Sequence, residues 1–113
     1  MGDDVVMNKR IKKKKGFSKI QNSELWDLDY TIIKFILPRL KKFKEINISS
    51  YPKKCGNIEN WHKIIDKIIW SFQFALDVAE MNYSNEYRFN ENNWSKYNEG
   101  MDLFKEYLLD LWD

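Results

Sequence analysis

The chain has 113 residues, 43% apolar and 16% aromatic, with one cysteine and a net charge of +2. That length suits one domain with a modest core, and a single cysteine excludes an internal disulfide. Only four glycines and two prolines argue against a many-turned β-sandwich, and no apolar run approaches the ~18 residues of a membrane span.

The charge is unevenly placed. Residues 1–19 carry Asp3 and Asp4 against seven Lys and Arg, whereas residues 56–113 hold 11 acids and 5 bases. The expected organisation is a basic arm over residues 1–22 and a single helical domain over residues 23–113. The run Lys9, Arg10, Ile11, Lys12, Lys13, Lys14 and Lys15 repels itself and is expected to be disordered when free. It offers Lys9, Arg10, Lys12, Lys13, Lys14 and Lys15 as a nucleic-acid contact, or it serves simply as a solvated tail. No aromatic residue interleaves these lysines, so stacking on bases is not indicated. No apolar stretch of signal-peptide type follows, and the protein is expected to act in the cytoplasm.

Asn22 or Ser23 can cap the first helix. Leu25, Leu28, Ile32, Ile36, Leu40 and Phe43 form its stripe, and Ile33, Phe35 and Leu37 widen it, which suggests a central helix. Pro38 inside this pattern is expected to kink or split the helix. Asp27 and Asp29 lie near the helix start between Trp26 and Tyr30, where capping is the ordinary role and binding a cationic group the alternative.

Residues 47–57 read as a loop, with Tyr51 tucked against the core. The second helix begins at Asn57 or Asn60, and its face runs through Trp61, Ile64, Ile65, Ile68, Ile69, Phe72, Leu76 and Ala79. Residues 81–93 read as a long polar loop in which Tyr83, Tyr87 and Arg88 are the residue types of binding hot spots. The third helix begins near Asn92 or Asn93, with a stripe of Trp94, Tyr97, Met101, Phe104, Leu108 and Leu111. Gly100 inside it costs ~1 kcal/mol relative to Ala, which a close helix crossing would justify. The closing Leu111 and Trp112 are expected to dock on the body. The predicted fold is all-α: a small bundle of three main helices.

Phosphate loops, dinucleotide fingerprints and zinc motifs are missing. Cys55 and His62 are the sole candidates for a thiol–imidazole pair, and an ordinary loop thiol is the simpler reading. His62 and Asp66 stand four apart and fit an exposed helix pair better than a metal site. Asp77, Glu80, Glu99, Asp102 and Glu106 are acids of the kind that hold Mg²⁺ in all-α nucleotide hydrolases, but the paired spacing of that class is incomplete. No catalytic, metal or cofactor residue is therefore assigned.

Some of the wording is distinctive. Trp26-Asp27-Leu28-Asp29-Tyr30, then Phe35 to Lys44, Tyr51-Pro52, Trp61 with Ile65 to Phe72, and Tyr97 to Phe104 closing on Leu111-Trp112-Asp113 resemble a small protein family that recurs in tailed bacteriophages and prophages. That family has no assigned activity, so no catalytic residue carries over. The resemblance, which spans roughly residues 23–113, implies a phage origin and action inside a bacterial cell. Proteins of this kind often bind host machinery, and some block defence nucleases such as those of CRISPR systems.

The leading expectation is thus a non-enzymatic protein that binds a host protein, through Tyr83, Tyr87 and Arg88, through the acidic face of Glu99, Asp102 and Glu106, or through both. The alternatives are nucleic-acid binding by the basic arm, with Arg39, Lys41, Lys42, Lys44, Lys53 and Lys54, and a metal-dependent nucleotide hydrolase. A homodimer that buries the first helix is compatible with each.

Overall fold

The computed structural model describes residues 19–80 and 90–112. About 80% of these are helical and none is in a strand, so the chain is a small all-α bundle. The α-helices are α1 (Ser23–Trp26), α2 (Leu28–Ile46), α3 (Ile58–Ala79) and α4 (Glu91–Tyr107), with 3₁₀ turns at Lys53–Cys55 and Leu108–Asp110.

The break in the first helical region falls at Asp27, not at Pro38. Asp27 adopts φ −126° and ψ 66°, whereas α2 runs unbroken across Pro38. Proline removes only one hydrogen bond, that to the Lys34 carbonyl, and the burial of Ile33, Leu37 and Leu40 on either side holds the helix together. Neither predicted cap of α1 uses its side chain. Instead Glu24 Oε2 accepts the Gln21 N–H at 2.7 Å. Asp27 stands at the head of α2, but its carboxylate makes no capping bond, and Asp29 accepts the neighbouring Tyr30 N–H at 2.8 Å.

Helix α3 is the central element, rather than the first helix. Its Asn57 caps the Asn60 N–H at 2.7 Å, a bond of about 1 kcal/mol. The turn before it closes through Gly56, whose φ of +96° suits glycine. The predicted stripe of α3 is buried or half-buried throughout, and Phe74 and Ser71 are buried as well. This wide apolar surface lets α3 pack against α2 on one side and α4 on the other. One core cluster joins Ile33, Leu37 and Leu40 to Ile68 and Phe72, and a second joins Cys55, Trp61, Ile65 and Tyr107. Burying each such side chain stabilises the fold by roughly 1.5–3 kcal/mol.

Helix α4 starts at Glu91, one or two residues earlier than expected. Asn90 caps it, accepting the N–H groups of Asn92 and Asn93 at 2.9 and 3.2 Å. The crossing of α3 and α4 is tight at Gly100, which faces the fully buried Ser71. The Ser71 hydroxyl donates between the carbonyls of Lys96 (3.2 Å) and Tyr97 (3.0 Å). Gly100 is thus explained by the close crossing its position suggested. Leu111 packs on the core as expected, but Trp112 is 73% exposed, and Tyr51 is exposed too.

Candidate interaction surface

Helical spacing brings Glu99, Asp102, Glu106 and Asp110 onto one side of α4 and its 3₁₀ extension, a ridge roughly 16 Å long. Two lysines from other elements partly neutralise it. Lys67 of α3 meets Glu99 at 2.7 Å, and Lys54 lies 3.8 Å from Glu106 and 3.7 Å from Asp110. These groups are half-exposed, so each pair contributes less than about 1 kcal/mol. Asp102 enters no ion pair among the described residues.

Asp110 also belongs to a notch of about 110 Å³ lined by Ser50, Tyr51, Pro52, Trp61 and Trp112. Trp61 forms its floor, held by a tilted contact with Tyr107 at 5.4 Å between ring centres. Lys54 lies 4.4 Å over the opposite partner of that contact, the Tyr107 ring. Burial, then the charges of Glu106, Cys55 and Asp110, raises the pKa of the Tyr107 phenol. The acidic ridge therefore runs into an aromatic notch whose exposed members, Tyr51 and Trp112, are hot-spot residue types.

A second surface is apolar. Phe35, Ile36, Leu40 and Phe43 of α2 face Phe104, Leu108 and Leu111 across a groove of about 320 Å³. Arg39 lies at its edge, its guanidinium 3.8 Å over the Phe35 ring and donating to the Phe35 carbonyl at 2.9 Å.

Of the expected contact residues, Glu99, Asp102 and Glu106 are all exposed and share the ridge. Tyr83, Tyr87 and Arg88, and the arm residues Lys9, Arg10, Lys12, Lys13, Lys14 and Lys15, lie outside the described residues. Of the basic residues expected to act with the arm, Arg39, Lys41, Lys42 and Lys44 lie on α2 and Lys53 and Lys54 in the 3₁₀ turn before α3. Lys44 pairs with Asp66 at 2.6 Å, Lys42 with Glu45 at 3.6 Å, and Lys41 donates to Gln73 at 3.4 Å.

Cys55 and His62 each have another partner: the thiol donates to the Pro52 carbonyl at 3.0 Å, and His62 Nε2 meets the Asn47 carbonyl at 2.6 Å. The expected His62–Asp66 pair does not form, because Asp66 turns to Lys44. Asp77 accepts from Gln73 at 3.1 Å and Glu80 from the Tyr30 hydroxyl at 2.8 Å. No group of three or more His, Cys, Asp or Glu among the described residues is placed to share a metal ion. No described helix is long and apolar enough to cross a membrane.

Sequence reasoning missed Tyr51, Leu109 and Trp112 as surface residues. A signal existed for Leu109, which falls off the three-to-four-residue period that carries Phe104, Leu108 and Leu111, whereas Trp112 follows Leu108 by four and falls on it. Comparison with protein-family models, curated proteins and solved structures finds no match to this chain.

Proposed function

We propose that this chain is a non-enzymatic binding protein that engages a host protein through the acidic ridge of α4 and the notch beside it. The observation that carries the reading is Asp110, which belongs to both features and joins four carboxylates to Tyr51 and Trp112. Such a surface fits a partner with a basic groove and a side chain that enters the notch. The nucleic-acid channel of a bacterial defence nuclease, as in CRISPR systems, has that chemistry, and the resemblance to phage proteins supplies the host. The lysines at Glu99 and Glu106 leave the ridge only modestly negative, so the notch supplies the specificity and the ridge the steering.

The test is affinity capture from nuclease-treated bacterial lysate with the native chain, Trp112→Ala and Asp102→Lys as baits. One dominant protein should bind the native chain. Trp112→Ala should weaken it by at least about 30-fold, as a hot-spot loss of ~2 kcal/mol requires. Asp102→Lys should slow association and reduce its salt dependence. Equal capture by all three baits would remove this surface from consideration. Capture seen only when the nuclease is omitted would favour the basic arm.

A further inference from the structure

We infer that the exposed face of α2 is the seam of a homodimer, formed by two antiparallel α2 helices around a two-fold axis. The face consists of Leu28, Ile32 and Phe35, which are 47%, 45% and 59% exposed although they recur at the spacing of a buried stripe. It continues into the groove between α2 and the end of α4. At ~200 Å² for a large apolar side chain, the exposed fractions of Leu28, Ile32, Phe35 and Leu108 amount to roughly 400 Å², within the range of the largest patch a monomer leaves. Leu25 and Trp26, exposed just upstream, bring this towards the ~800 Å² per partner of a standard interface.

Shape and charge both select the antiparallel arrangement. An axis between Ile32 and Phe35 sets Ile32 of each chain against Phe35 of the other, Leu28 across from Arg39, and Leu25 across from Lys42. The protruding start of each helical region thus falls over the other chain's 320 Å³ groove. The same operation brings Glu24, Asp27 and Asp29 of one chain towards Arg39 and Lys42 of its partner. A parallel pairing would instead set like charges side by side. The interface is isologous, as a closed two-fold dimer requires. It is independent of the α4 ridge and of the notch.

Sedimentation equilibrium on the full chain tests this. The native protein should give twice 13.8 kDa at micromolar concentration. Phe35→Asp and Ile32→Asp should each weaken dimerisation by at least about 30-fold, the effect of losing a hot spot. Both side chains lie outside the core, and an unchanged circular-dichroism spectrum verifies the monomer fold. Arg39→Glu should weaken the dimer about tenfold, and adding Asp29→Lys should restore it by reversing the pair. Trp112→Ala should leave the dimer intact, which separates this result from the partner-binding surface. A 13.8 kDa monomer at millimolar concentration would overturn the inference and leave the groove to residues 1–18 or to another protein. A dimer that survives Phe35→Asp would also overturn it.

Discussion

Gly100→Ala opposes helix propensity to packing, and the structure decides the sign. Propensity alone makes alanine better by ~1 kcal/mol in a helix interior. An ideal Cβ at Gly100, however, overlaps the Ser71 hydroxyl and lies 2.5 Å from the Lys67 carbonyl oxygen and 2.7 Å from Ser71 Cβ. The hydroxyl can rotate away only by losing its bonds to Lys96 and Tyr97, a loss of ~1 kcal/mol at a fully buried site. The carbonyl belongs to the α3 backbone and moves only if the two helices separate, at ~2 kcal/mol for overpacking of this kind. After the propensity gain is deducted, the net destabilisation is ~2 kcal/mol, or a fall in Tm of roughly 10 °C for a domain of this size. Urea and thermal unfolding followed by circular dichroism measure it. Ser71→Gly removes two of the three close contacts, so the double variant should show a favourable coupling of at least ~1 kcal/mol. A rise in Tm for Gly100→Ala would refute the close crossing.

Two further outcomes follow from single positions. Pro38→Ala returns a donor to the Lys34 carbonyl at an exposed site within α2, and it should raise stability by ~2 kcal/mol after the loss of unfolded-chain restriction. An unchanged or lower urea midpoint would mean that the proline ring itself supports the packing of α2. For Tyr107, the folded state holds the phenol proton more tightly than the unfolded chain does, because burial and the nearby carboxylates raise its pKa. Its contribution is therefore intact below the ordinary tyrosine value near 10 and is lost as pH climbs past it. Tyr107→Phe should flatten the alkaline limb of a stability–pH profile, and an identical limb in both proteins would contradict this.

The α3 stripe was legible because nearly every apolar residue at helical spacing there ends in the core. The same rule misreads α2. Apolar residues surround that helix, so two stripes compete, and Ile33, Leu37 and Leu40 are buried while Leu28, Ile32 and Phe35 are not. Nothing local distinguishes the two. The choice depends on which side meets α3. The acids of α4 were visible as a spaced set, but Lys54 and Lys67, which moderate them, come from far along the chain.

By itself, the sequence determined the helical class, the order of the helices and the choice of an asparagine cap for α3. These depend on short-range period and capping chemistry, both of which act within a few residues. The tertiary structure alone decided that α3 lies at the centre, that the first helical region breaks at Asp27, and that Asp110 joins the ridge to the notch. Those outcomes depend on how three amphipathic surfaces share one core. That sharing is a comparison among faces distant in sequence, and no local pattern encodes it.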